Sequence, residues 1–307
     1  MPELPEVTAL AAFLDERLAG ATIDRVQIGA VHALKTADPP YTSLVGRRVE
    51  SVGRRGKFIV VITVPDSGRA GSASEGEADD GGPVAVVVHL ALGGWIRVLD
   101  RLPEPTPPRG KGYVAARFGF VRDDGDEAGI ELTEAGTWKR LSLHIVRRLQ
   151  DVPAVAELGP EPLDDSFTLE AFRKVLNRKK QVKGLLRDQK LIAGIGNAYS
   201  DEILHAAKVS PFAIASTLGD ETTARLYDAM RTVLGDAVAE DMGHPPEELK
   251  DEKRRIMRVH RRAGEACPVC GDTILEVSFA DSALQYCPTC QTGGRPLADR
   301  RTSKFLK

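Results

Sequence analysis

Several things are scarce in this chain of 307 residues, and each scarcity excludes a class of function. The longest apolar runs, near 58–64 and 84–92, fall far short of the ~20 residues needed to cross a bilayer. The amino terminus is acidic and has no basic segment followed by an apolar core, so a secretory signal is not expected and a cytoplasmic protein is. No glycine-rich loop is followed by the Lys-Ser/Thr of a nucleotide triphosphate site, and nothing points to haem, flavin or nicotinamide. The formal charge is only −2, so net charge does not announce a polyanionic partner. The distribution of charge is more telling, because Lys and Arg cluster at 173–190, 253–262 and 295–307, which permits a local basic face. What remains is an ordinary globular composition, 42% hydrophobic and 28% charged, in a chain long enough for two domains.

Cysteine is also scarce, and all four fall together as Cys267-Pro-Val-Cys270 and Cys287-Pro-Thr-Cys290. Two C-x-x-C knuckles at this separation can place four thiolates tetrahedrally around one structural Zn²⁺. Two disulfides are the competing reading, disfavoured in a cytosolic chain with no other cysteine. With every cysteine used, none is left as a nucleophile. Residues 273–279 and 283–286 between the knuckles read as a β-hairpin, making a zinc ribbon whose folding depends on its metal.

Before the ribbon the chain changes character once. A first helix carries Val7, Leu10, Leu14 and Leu18 on one face and stops at Gly20. Strands are expected at 22–29, 47–52, 57–64, 84–89, 96–99, 114–121 and 129–133, each bounded by Gly, Pro or Asp. Residues 66–83 contain no large apolar side chain and read as a flexible loop. Several short strands with few helices between them point to an antiparallel sandwich. From Pro153 the pattern becomes helical, at 169–176, 182–188, 197–207 and 221–236. The overall expectation is an α+β protein: a sandwich domain over 1–150, a helical domain over 151–245, the ribbon over 246–294 and a basic tail over 295–307.

Two short stretches carry chemistry. Met1-Pro2 is a good aminopeptidase substrate, and removal of Met1 frees the secondary amine of Pro2. An α-amino group titrates near ~8 against ~10.4 for Lys, so at neutral pH it is the better nucleophile toward an aldehyde carbon. Glu3 beside it can supply a proton to the departing oxygen, and Glu6 lies one helical turn further on. The alternative is that Pro and Glu are simply good first-turn residues. The second stretch, Gly194-Ile-Gly196-Asn197, reads as a tight turn opening a helix whose backbone N–H groups form a ready phosphate site. An ordinary helical hairpin is the alternative, and the flanking Lys179, Lys180, Lys183 and Arg187 tip the balance toward a nucleic-acid backbone.

Pro-Glu-Leu-Pro-Glu-Val at the start, Gly-Lys57-Phe at a strand start, Gly-Ile-Gly-Asn197 and the four-Cys ribbon, in this order, resemble the formamidopyrimidine-DNA glycosylase / endonuclease VIII family over nearly the whole chain. The resemblance implies a helix-two-turn-helix DNA glycosylase with a zinc finger, acting on damaged duplex DNA and abasic sites as a monomer. It also implies base excision followed by strand cleavage at a nucleotide flipped out of the stack. Pro2 matches the nucleophile that attacks C1′, Glu3 the acid at the sugar ring oxygen, and Glu6 a neighbouring active-site carboxylate. Lys57 matches the catalytic Lys that grips a phosphate next to the lesion and helps elimination, and Asn197 the Asn that binds the same backbone, with Gly196 and Lys179 alongside. Cys267, Cys270, Cys287 and Cys290 match the zinc ligands.

The departures matter as much. Where the family has an Arg and a Phe wedge, this chain reads Glu134-Ala-Gly-Thr-Trp138-Lys-Arg140, so Trp138 can serve as wedge but the Arg is gone. Leu92 stands in place of the family's Met, Ser282 in place of a hairpin Arg, and His260 in place of a Tyr. Residues 243–252 look too short for the loop that caps 8-oxoguanine. The lost arginines leave a second reading open, a non-catalytic damaged-DNA-binding protein on the same scaffold. His89, His144, His205 and Trp95 are expected to pack rather than to bind.

Overall fold

The computed structural model describes residues 1–66, 81–103, 114–280 and 282–299. Most of the stretch expected as a flexible loop at 66–83, and the basic tail from 300 onward, lie outside the described residues. Contacts divide the chain into two compact units. One comprises Met1–Pro2, Glu6–Glu157 and Asp241–Lys250, the other Glu3–Pro5, Leu158–Glu240 and Asp251–Lys307.

In the first unit, helix α1 (Leu4–Leu18) is followed by strands β1 (Thr22–Ile28), β2 (Arg47–Arg55), β3 (Phe58–Pro65), β4 (Val84–His89), β5 (Gly94–Leu99), β6 (Val114–Val121), β7 (Glu127–Glu134) and β8 (Ser142–Val146). All pair antiparallel in one ladder ordered β5-β7-β6-β1-β2-β3-β4-β8. The two four-stranded halves are joined at a single registered pair, Thr22↔Arg48, so they can fold over one another. Apolar residues of both halves, among them Ile23, Phe118, Ile130, Ile59, Val86 and Ile145, share one core with Val7, Leu10, Leu14 and Leu18 of α1. Burying each of these side chains contributes about 1.5–3 kcal/mol. Trp95 joins that core as expected, with the Lys250 ammonium 4.2 Å from its ring centroid. Strand β8 has no counterpart among the expected strands, because Ser142–Val146 is short and has no turn signal of its own in front of it.

The second unit is built from α3 (Leu169–Leu176), α4 (Val182–Arg187), α5 (Asn197–Ala206), α6 (Asp220–Asp241) up to Glu240 and α7 (Leu249–Ile256) from Asp251, after a single-turn α2 (Pro153–Ala156) that closes the first unit. Then come hairpin strands β9 (Leu275–Ser278) and β10 (Ala283–Tyr286) and the short α8 (Pro288–Thr292). Thr168 caps α3 by accepting from the Ala171 N–H, and Phe172, Leu185, Tyr199, Ile203, Leu226 and Met230 form the core. Helix α7 is a second element without a signal in the sequence. Its mean hydropathy is low, and it occupies the segment expected to be a shortened capping loop. No helix among the described residues is long and apolar enough to cross a membrane.

Candidate active site and zinc centre

The N-terminus of α5 is not open. The Glu3 carboxylate accepts the N–H of Gly196 at 2.6 Å and of Tyr199 at 3.3 Å on Oε2, and of Ala198 at 2.9 Å on Oε1. A carboxylate belongs there, since these are the first donors of a helix and carry its positive dipole end. The glycines exist to admit it. A Cβ at Gly196 would sit 2.4 Å from the Glu3 carboxyl carbon, and one at Gly194, where φ is +86°, would sit 2.8 Å from Leu4 Cβ. Leu4 in turn donates its N–H to the Gly194 carbonyl at 3.0 Å. The expectation of a phosphate site at this turn is therefore corrected: the N–H of Gly196 is committed to Glu3, 193 positions away in sequence.

Glu3 is 2% exposed, and its charge has a cation nearby. The Lys253 ammonium stands 3.9 Å from Oε1 and 4.6 Å from the Tyr199 ring centroid, a neighbour with no signal in the sequence beyond its place in a basic run. Pro2 and Glu6 are both buried, Glu6 to 1% exposure.

A charged network lies beneath α5. Lys183, counted among the basic residues flanking the turn, is buried, and its ammonium donates to Asp201 Oδ1 at 2.6 Å, Ser200 Oγ at 2.7 Å and the Asn197 carbonyl at 3.1 Å. It is thus withdrawn from any nucleic-acid face, while Lys179, Lys180 and Arg187 stay exposed. Burial pulls Lys183 below the usual lysine range, opposed by Asp201. Asp201 Oδ2 meets His260 Nδ1 at 2.8 Å, which explains a histidine where the resemblance leads one to expect Tyr. Glu202 accepts the N–H groups of Arg258, Val259 and His260. Burial raises its pKa and these bonds hold it back. Asn197 donates Nδ2 to the Ala283 carbonyl at 2.8 Å, so it ties α5 to β10, and its Oδ1 is buried without a partner among the described residues.

In the first unit Lys57 follows Gly56 in the two-residue turn between β2 and β3 and is 7% exposed. Desolvation first and the Lys57 charge second lower His89 to about 4, and the His89 ring lies 4.8 Å from Phe58. Trp138 and Leu92 are the conspicuous surface groups, 74% and 63% exposed. Their loops touch, the Ala135 N–H donating to the Gly93 carbonyl at 2.9 Å. Glu134 clamps the Trp138 loop by accepting the N–H groups of Arg140 and Leu141, while Lys139 Nζ donates to its carbonyl.

The four cysteine Sγ atoms lie within 4.8 Å of one another. Four thiolates at ~2.3 Å from a tetrahedral Zn²⁺ stand ~3.8 Å apart, so the set fits that ion without rearrangement of the chain. Desolvation and the neighbouring sulfurs push the Cys287 thiol up to about 11 and Cys290 higher still, a cost that a bound cation removes. Thr289 bonds Asp272 across the two knuckles, and Gln291 joins the Cys287 N–H to the Val209 carbonyl. Within the basic run at 253–262, Arg254, Arg255 and Arg262 are engaged with Asp251, with Glu240 and Glu252, and with Glu265.

Comparison with known proteins agrees over most of the chain. Residues 1–133 match the formamidopyrimidine-DNA glycosylase N-terminal domain, 158–245 its H2TH domain and 264–293 the zinc finger found in FPG and IleRS. The formamidopyrimidine-DNA glycosylase of Heliobacterium modesticaldum is 33% identical over 299 residues, 95% of this chain and 100% of the relative. A Mycobacterium tuberculosis protein described as an uncharacterized formamidopyrimidine-DNA glycosylase-like protein is 54% identical over 155 residues, 50% of this chain and 98% of its own length. MutM in complex with carbocyclic 8-oxo-G containing DNA superposes with a TM-score of 0.77 at 25% identity, covering 95% of this chain and 100% of that one. MutM of Thermus thermophilus gives 0.72 at 30%, covering 96% and 100%. With a buried Glu3 seated on the H2TH helix and a four-cysteine zinc finger following it, the chain belongs to the formamidopyrimidine-DNA glycosylase family of DNA repair.

Proposed function

We propose that this chain is a bifunctional glycosylase and abasic-site lyase acting as a monomer on damaged duplex DNA. Pro2, freed of Met1, attacks C1′ of the flipped nucleotide as the bond to the base breaks. Glu3 handles the proton at the ring oxygen, and the resulting iminium permits elimination of the adjacent phosphate. Lys57 and Asn197 hold the backbone, Lys179 adds sequence-independent phosphate attraction, and Trp138 with Leu92 fills the gap left by the flipped base. One Zn²⁺ held by Cys267, Cys270, Cys287 and Cys290 supports the ribbon.

The observation that carries this reading is the seat of Glu3. Three backbone N–H bonds fix a carboxyl group on the residue next to the amine that must do the attacking. A protein that only binds DNA gains nothing from a buried carboxylate beside a free terminal amine. Borohydride trapping tests it: an abasic duplex becomes covalently linked to chain that starts at Pro2, and not to chain that retains Met1, whose Pro2 nitrogen is an amide. Absence of an adduct from processed protein leaves the damaged-DNA-binding alternative. Glu3→Gln impairs base release more than cleavage at a preformed abasic site.

Lesion choice follows from the wedge. The loop carrying Trp138 has no Arg at the family position, and a bidentate contact to a base is worth roughly 1–3 kcal/mol of discrimination. Abasic sites are cleaved well and 8-oxoguanine opposite cytosine poorly. A panel of lesions opposite each base measures this, and a clear preference for 8-oxoguanine opposite cytosine over adenine overturns it.

A further inference from the structure

Helix α5 meets the Glu3 carboxylate at one end and the cysteine cluster at the other. His205, in its last turn and 2% exposed, places Nε2 3.3 Å from Cys267 Sγ, 62 positions away in sequence. Its Nδ1 is buried without a hydrogen-bond partner among the described residues. A ring with an N–H on both nitrogens would leave a buried donor unbonded at Nδ1, so it carries one N–H. Put on Nδ1, that hydrogen would be a buried donor with nothing to bond, and the Nε2 lone pair would face sulfur. Put on Nε2, it points at Cys267, and the orphan becomes an acceptor, the less costly kind. A thiolate bound to a cation can only accept, so the Nε2–H form is the one that matches a metal-bound Cys267.

We propose that His205 donates its Nε2–H to the zinc-bound thiolate of Cys267, and that through this bond α5 orients the ligand and slows release of the metal. The inference rests on the zinc reading of the four cysteines. His205 is a positioning residue, not a fifth ligand, since four sulfurs within 4.8 Å of one another would suffice for the tetrahedral set that a structural Zn²⁺ takes. Its bond adds a side-chain donor from a helix core to a cluster otherwise oriented from within the knuckles, where the Cys290 N–H lies 3.5 Å from Cys287 Sγ. Four thiolates around one dication carry a net negative charge, and an N–H donor from a rigid helix offsets part of it. Partners of this kind typically change metal affinity about 10–100-fold when removed.

The test uses the full chain loaded with zinc. Release to excess chelator is followed by the absorbance of 4-(2-pyridylazo)resorcinol for wild type, His205→Phe and His205→Gln. His205→Phe fills the space without a donor and should release zinc at least ~10-fold faster, while His205→Gln keeps an N–H and should fall between. Far-UV circular dichroism with zinc bound should be the same in all three. The cobalt-substituted proteins should show the same four-thiolate charge-transfer bands. Release from His205→Phe within about twofold of wild type overturns the inference. So does a cobalt spectrum that loses a nitrogen ligand in this variant, which would make His205 a ligand itself. A wild-type chain that binds no zinc would instead overturn the zinc reading beneath it.

Discussion

The two units hold themselves together by different means. In the first, an aliphatic and aromatic core dominates and the buried ion pair of Arg117 with Glu131 runs across neighbouring strands, while Lys57 stands in the turn between β2 and β3 and Leu92 and Trp138 on neighbouring loops. In the second, ionisable groups are inside: Glu3, Lys183, Asp201, Glu202 and His205 are all nearly inaccessible, and all are hydrogen-bonded, mostly to or from helix α5. A β core of this kind tolerates change at its loops, because loop side chains carry little of its stability. A buried polar network does not, because each member removed leaves another charge or dipole without its partner. The residues proposed to read the lesion are thus on the tolerant unit and the carboxylate proposed to handle the proton is on the intolerant one.

Breaking the contrast should cost most at the metal. Cys287→Ser should lose zinc and melt the ribbon while the first unit keeps its structure, since structural zinc in small domains supplies their folding free energy. Metal analysis and limited proteolysis check this, and a ribbon that stays protected without metal refutes it. Next comes the buried pair. Lys183→Met leaves Asp201 charged and buried and should cost about 3–5 kcal/mol in denaturant unfolding. A loss below about 1 kcal/mol would mean that His260 alone satisfies Asp201.

One partly buried titrating group of the first unit sharpens the comparison. His89 is neutral in the fold, with a pKa lowered to about 4, whereas in the unfolded chain it takes a proton below about 6.5. The unfolded state therefore binds more protons between these values, and stability is lost as pH falls through that window, by up to about 3 kcal/mol. His89→Phe should flatten the acid limb of the unfolding free energy, and an unchanged limb would remove His89 as its source. The smallest effect on stability is expected at the wedge. Trp138→Ala should change unfolding by less than ~0.5 kcal/mol while weakening binding to DNA with an extrahelical nucleotide. An equal loss on undamaged duplex would mean that Trp138 does not fill a gap.

Much is legible in the sequence, for local reasons. The four-cysteine cluster follows from two C-x-x-C spacings and the chain's lack of any other cysteine. The central strands are apolar runs closed by turn residues, and Val84–His89 and Val114–Val121 form within the expected limits. Leu169–Leu176 announces itself through periodicity and a Thr cap. Helix α7 and strand β8 escape such reading because each owes its place to neighbours rather than to its own pattern: α7 is strongly polar with only Leu249 fully buried, and β8 is a short edge strand beside β4.

By itself, then, the sequence determined the order of the parts, the grouping of four cysteines fit for a metal and the adjacency of Pro2 and Glu3. Only the tertiary structure decided what Gly194-Ile195-Gly196 is for. From sequence the turn offers N–H groups to any anion, and an external phosphate is as good a guess as another. In the fold those donors are taken by Glu3, and the absence of a Cβ at each glycine is what lets Glu3 and Leu4 approach. The same holds for Lys183, basic and apparently available in the sequence but neutralised beneath α5 by Asp201. The partner of a donor or a charge is set by where distant segments meet, and a local pattern carries no record of that.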